Sequence, residues 1–233
     1  MNALNANITN NSLKSSPAPR SLNTHQLAAY ILNNDTINAQ MVIGLPDLDH
    51  DAALIEVIRS PATIFGDGLE IIKKMLNGYL VNDVAAIIQA CVLHGHTAIL
   101  GLIIAKYTVI NRDWYYYALS QLVENVYAVK RAPVVAKWLV TYASEHNLTI
   151  QTNDMMDLLY AGDKATTYAV LDAIYDNADH YKRLITHLVA ASNCQLSPSV
   201  VLYMYDNGKR RYTATEYAAT TLRALVGGLV CKN

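Results

Sequence analysis

Apolar residues recur at three- and four-residue steps along most of this chain. In Ile87, Ile88, Cys91 and Val92, and again through Ile99, Leu102, Ile103 and Lys106, the spacing gathers side chains on one side of a helix. The pattern predicts a first helix over 25–33, with Thr24 as its cap and Leu27, Tyr30 and Ile31 on one face. Pro46 to Asp51 reads as an acidic turn entering a helix over 52–59, which Ser60-Pro61 ends. Further helices are predicted over 69–76, 83–93, 97–107, 114–126, 133–144, 152–160, 166–175, 180–191, 198–205 and 213–226, the last stopped by Gly227-Gly228. No single pair of such helices can cover its own apolar face. Stacking consecutive pairs covers it, at about 25 cal/mol per Å² of apolar surface. The expected fold class is therefore all-α, a solenoid of stacked antiparallel helix pairs.

One rhythm repeats in the second helix of each pair: Leu69-Glu70-Ile71-Ile72-Lys73-Lys74-Met75-Leu76, Gly95-His96-Thr97-Ala98-Ile99-Leu100-Gly101-Leu102-Ile103-Ile104 and Val134-Val135-Ala136-Lys137-Trp138-Leu139-Val140. Taking Leu69, Thr97, Pro133, Thr166 and Pro198 as equivalent, the steps are 28, 36, 33 and 32 residues. Pro133 and Pro198 suit a first helical turn, where the missing N–H has no intrahelical partner to lose. These stretches resemble the second helix of an ankyrin repeat, Gly-His-Leu-Glu-Ile-Val-Lys-Leu-Leu-Leu. Gly78-Tyr79-Leu80-Val81-Asn82 resembles that family's Gly-Ala-Asp-Val-Asn linker, and Ile110-Asn111 repeats its ending. Two departures stand out: Cys91-Val92 replaces the family's Ala-Ala pair, and Gln89 replaces the His of its Thr-Pro-Leu-His turn. The resemblance covers about residues 49–226 and implies irregular or shortened hairpin linkers. An unrelated α-solenoid is the structural alternative. The organisation expected is a mobile tail over 1–24, a capping helix region over 25–48, the array over 49–226 and a short tail over 227–233.

Composition narrows the setting. With 52% hydrophobic and 16% charged residues, the 233-residue chain has ample material for a buried interior. A formal charge of −1 and a pI near 6.6 supply no general basic field and argue against nucleic acid as the main partner. No apolar run reaches the roughly 18 residues of a membrane span, so no membrane partner is expected. Three cysteines, Cys91, Cys194 and Cys231, make neither a Cys-x-x-Cys pair nor an even set, which points to a reducing, cytoplasmic compartment. The first 24 residues carry no acid and no continuous apolar core for a secretory signal.

Candidate chemistry is sparse. His94 and His96 flank a glycine, but they fall on the bend of the repeat, where the resemblance places a histidine for structural reasons. Asp47, Asp49, His50 and Asp51 form the densest acidic cluster; a solvated turn and helix cap is favoured over a divalent-ion site. Gly66-Asp67-Gly68 lacks the spacing and lysine of a phosphate loop, and no Gly-x-Ser-x-Gly elbow is present. The expectation is no catalytic residue, no metal and no cofactor.

Surface signals are stronger. Trp114-Tyr115-Tyr116-Tyr117 cannot all face one core, because each helical step turns about 100°. The resemblance places this run and the preceding linkers on a concave face, and Trp, Tyr and Arg are common interface anchors. Tyr79, Tyr107, Arg112, Trp114 and Tyr116 are accordingly the candidate partner-binding residues. Lys209, Arg210 and Arg211 form a candidate basic patch. The function implied is a non-enzymatic protein-interaction scaffold. Degenerate, Asn- and Tyr-rich arrays of this kind resemble those of large DNA viruses and intracellular bacteria, which implies an adaptor or effector acting on proteins of the host cytoplasm. The alternatives are a subunit that assembles with copies of itself and a metal-dependent enzyme around Asp47 to Asp51.

Overall fold

Aspartate sets the start of three helices in this chain. A computed structural model describes residues 22–62, 64–108, 113–150 and 164–175, together with Asp154 and Leu158. Its helices are α1 (Leu22–Leu32), α2 (Thr36–Val42), α3 (His50–Arg59), α4 (Asp67–Gly78), α5 (Val84–His94), α6 (Thr97–Thr108), α7 (Asp113–Asn125), α8 (Ala132–Glu145) and α9 (Lys164–Tyr175). Asp35, Asp49 and Asp83 cap α2, α3 and α5, each accepting the N–H three residues on at 2.9 to 3.1 Å. Pro133 occupies the first turn of α8. Ser60 ends α3 in the extended conformation that a following proline favours. At the end of α5, Gly95 is left-handed (φ +77°) and its N–H, with that of His96, returns to the Cys91 carbonyl at 2.9 Å.

The helices lie in two rows. Along one row α1 packs on α3, α3 on α5 and α5 on α7; along the other α2 packs on α4, α4 on α6 and α6 on α8, with α9 against α8. No strand occurs among the described residues, so the chain is all-α over the region described. The hydrogen bonds sort the connections into two groups. Turns between pairs (α2 to α3, α4 to α5), here called joints, bond to one another, and turns within pairs (α3 to α4, α5 to α6, α7 to α8), here called bends, do likewise. Joints and bends therefore mark opposite edges.

Several side chains reach from one pair to the start of the next. Thr24 Oγ1 accepts the Asp49 N–H at 3.3 Å, Asn34 Oδ1 accepts that of Gly68 at 2.8 Å, and Asp51 Oδ2 accepts those of Asn82 and Asp83 at 2.9 and 3.0 Å. Gly68 must be glycine for space as well, since a Cβ there would lie 2.7 Å from the Ile31 carbonyl oxygen. Gln89 Nε2 donates to Gln121 Oε1 at 3.0 Å, tying α5 to α7, so this position links neighbouring pairs rather than organising a turn.

Some boundaries differ from those the sequence suggests. Thr24 is not a cap outside the first helix: α1 begins at Leu22, and Thr24 lies fully buried in its first turn, where burial is satisfied by the Asp49 N–H. The short α2 carries no apolar rhythm and was not expected. In α6 the buried residues are Ile99, Leu100, Ile103, Ile104 and Tyr107, while Leu102 and Lys106 are half-buried. A helix flanked by α4, α5, α7 and α8 has two adjoining rows to bury rather than one stripe. Helices expected over 180–191, 198–205 and 213–226, including Pro198, lie outside the described residues, as do residues 1–21; of the helix expected over 152–160 only Asp154 and Leu158 are described.

Ile103 has no exposed surface. Ile103→Ala is expected to lower the unfolding free energy by about 2 to 5 kcal/mol in a denaturant titration; an unchanged midpoint would show that this face is not packed.

Candidate interaction surface

The joint between α4 and α5 is held from three directions. Tyr79 follows α4 in extended conformation, and its N–H closes the helix on the Met75 carbonyl at 2.9 Å. Its ring stacks on the His50 imidazole, centroids 4.0 Å apart and planes at 21°. His50 Nε2 lies 2.9 Å from the Ile43 carbonyl, an acceptor that requires the proton on that nitrogen. From α6, Lys106 Nζ donates to the Tyr79 carbonyl at 2.9 Å and lies 5.3 Å from the Tyr107 ring centre. Partial burial of Lys106 lowers its pKa. The Tyr107 hydroxyl accepts the Val81 N–H at 2.8 Å.

This clamp presents Leu80 to solvent, 75% exposed. The neighbouring joint comes close to it, since a Cβ on Gly44 would lie 3.6 Å from the Tyr79 hydroxyl; the next residue, Leu45, is exposed, and so is Met41 in the last turn of α2, at 68%. Met41, Leu45, Tyr79 and Leu80 thus give two adjacent joints an exposed apolar character on rigid backbone.

The sequence-derived site residues divide accordingly. Tyr79 is exposed and belongs to this surface. Tyr107 is only 7% exposed and is withdrawn as a surface anchor; its ring packs inside and its hydroxyl serves the Val81 N–H. Trp114 and Tyr116 are half-buried, packed against the core. Trp114 meets Tyr117 edge-on at 6.0 Å, and the Tyr116 hydroxyl donates to the Thr149 carbonyl at 3.1 Å. Tyr115 is fully buried, donates to the Leu139 carbonyl at 3.0 Å and stacks on Tyr142, which stacks on His146 at 3.9 Å. Burial is the first cause that raises the Tyr115 pKa far above the ordinary phenol range. The aromatic run therefore ties α7 to α8 and the chain beyond it. Arg112, Lys209, Arg210 and Arg211 lie outside the described residues.

The acidic cluster is built into the joints. Asp49 caps α3, Asp51 receives two N–H groups of the next joint and His50 carries Tyr79. Among the described residues no three His, Cys, Asp or Glu side chains are grouped as metal ligands. Cys91 is buried, and desolvation raises its thiol pKa well above the ordinary range, so at neutral pH it is a protonated core residue. Sequence reasoning missed Leu80, Leu45, Met41 and the His50 stack. One signal was present: Asp49 and Asp83 are 34 residues apart and both start helices, which marks joints of successive pairs.

His94 and His96 sit at the α5–α6 bend. The pKa of His94 is lowered by burial first, then by Lys130, His96 and Arg59. That of His96 is lowered by burial first and by Arg131 and Lys130, against the opposing effect of hydrogen bonds to the Ser60 and Ile58 backbone. Both imidazoles bind a proton less readily folded than unfolded. Their stabilising contribution is full above the unfolded histidine value of about 6.5 and is lost as pH falls below it and through the lower folded values. A His94→Gln, His96→Gln variant should show a shallower fall in Tm between pH 7 and 5 than the wild type; parallel curves would remove these residues from the acid response.

No known family, no curated protein and no solved structure matches this chain.

Proposed function

We propose that this chain is a protein-recognition scaffold, an ankyrin-like array of helix pairs with no catalytic role, that takes its partner on the joint edge around Tyr79 and Leu80. The observation that carries the reading is an exposed apolar group held on clamped backbone. Leu80, Tyr79 and Leu45 come from two successive joints and Met41 from the last turn of α2, while hydrogen bonds to Lys106, Tyr107 and Asp51 hold the joint that carries Tyr79 and Leu80. A surface that is rigid before binding loses little conformational freedom on binding. The effector reading, in which the partner is a protein of a host cytoplasm, rests on the family resemblance.

The test is affinity capture from cell extract by the wild type and by a Leu80→Ser, Met41→Ser variant, followed by titration of each captured protein in purified form. The variant should retain its helical circular dichroism and bind about 30-fold more weakly, the loss of roughly 2 kcal/mol expected of a pair of anchors. Equal affinity of the two proteins would reject this surface. A solution mass that doubles with concentration for the wild type and not for the variant would assign the same surface to self-assembly.

A further inference from the structure

The opposite edge carries a different chemistry. Three successive bends bring Arg59 from the end of α3, His94 and His96 from the α5–α6 bend, and Lys130 and Arg131 from the α7–α8 bend into one neighbourhood. Three contacts hold the second and third bends together. The Lys130 N–H donates to the Leu93 carbonyl at 3.0 Å, Lys130 Nζ lies 3.2 Å from His94 Nδ1, and Arg131 packs over Gly95 so closely that a Cβ there would come within 2.7 Å of it. Arg59, Lys130 and Arg131 are all exposed. Among the described residues none of these three cations has a carboxylate within ion-pair distance; the pairs found are His25 with Glu56 and Lys73 with Glu70. Exposed aromatic rings occur in the outer two bends, Phe65 before α4 and Tyr127, 84% exposed, before α8.

Like charges gathered without a counter-charge repel one another, and an acidic ligand relieves that repulsion while an uncharged one does not. The cations are spaced along consecutive bends, which suits an extended ligand rather than a single small anion. The whole chain has a formal charge of −1, so the positive field is local, without the chain-wide basic field on which nucleic-acid binding draws. We propose that the bend edge is a docking surface for an acidic, extended protein segment, its carboxylates facing Arg59, Lys130 and Arg131 and its apolar or aromatic residues meeting Phe65 and Tyr127. The depressed proton affinity of His94 and His96, due first to burial and then to these same cations, agrees with a field that lacks an anion.

This surface is independent of the joint edge, and the two separate by experiment. The probe is a fluorescein-labelled random copolymer of glutamate and tyrosine, run beside a lysine–tyrosine copolymer and a single-stranded RNA, by anisotropy at 50 and 200 mM salt. The wild type should bind the acidic copolymer, more weakly at the higher salt, and should not bind the basic one. Arg59→Gln with Lys130→Gln, which leaves Arg131 in its packing place over Gly95, should weaken binding about tenfold or more and flatten the salt dependence. Leu80→Ser on the joint edge should leave it unchanged. Absence of binding by the wild type, equal binding by the Arg59→Gln, Lys130→Gln variant with native circular dichroism, or tighter binding of the RNA than of the acidic copolymer would each overturn the proposal.

Discussion

Tyr115→Ala should lower the unfolding free energy by about 3 to 5 kcal/mol, the range for loss of a large aromatic side chain from a core. Tyr115 has no exposed surface, and its ring lies between Tyr116 and Tyr142. Truncation also removes the donor to the Leu139 carbonyl. Tyr115→Phe separates the two contributions: it keeps the ring and should cost about 1 kcal/mol, because that carbonyl belongs to helix α8 and the lost bond is a single neutral one. Urea titration of both variants checks the ordering. If Phe costs as much as Ala, the hydroxyl rather than the packed ring carries this contact between α7 and α8.

Gly95→Ala is the second large effect, about 2 to 5 kcal/mol. A left-handed φ costs a residue with a Cβ about 1 to 2 kcal/mol, and overpacking typically adds about 1 to 3. Here the new methyl would lie 2.7 Å from Arg131 Cβ and 3.1 Å from its Cγ and Cδ. Arg131 cannot swing away without moving the residue before α8 and the Lys130 bond to Leu93. Gly78→Ala is the internal control. Nothing lies within 4 Å of a Cβ at Gly78, the last residue of α4, and its φ is not positive, so this variant should be neutral or slightly stabilising. Equal destabilisation by both substitutions would mean that helix propensity, not the bend, sets the cost.

The sequence exposes helices well where caps and apolar steps coincide. From α3 to α8 every element was legible to within about two residues, because Asp49, Asp83, Ser60-Pro61, Gly95 and Pro133 mark ends that backbone hydrogen bonding demands. Helix α2 was not: of its seven residues only Ala39 is buried, so no periodic face records it. Thr24 misled because a hydroxyl before an apolar run has the look of a cap, whereas here it caps the next pair's backbone from across the row. The surface was less legible still. Tyr79 was found through its place in a linker, but the stack with His50 joins residues 29 apart and is fixed by how α3 packs on α5. Trp114 and Tyr116 belong to a four-aromatic run that looked too crowded for one core. The neighbouring α8 supplies Trp138 and Tyr142, and Tyr115 joins Tyr142 in a stack that a single-helix projection does not contain.

Three of the side chains that span pairs share one direction. Thr24 precedes Asp49, Asn34 precedes Gly68, and Asp51 precedes Asn82 and Asp83: in each case the acceptor comes first in the chain and the N–H it satisfies opens a later helix or the joint before it. A chain leaving the ribosome therefore meets the starts of α3, α4 and α5 with these acceptors already made. Each of these bonds can form as soon as the later helix start is made, whereas the Tyr107 hydroxyl that accepts the Val81 N–H arrives only with the end of α6, so the joint between α4 and α5 is completed one pair later.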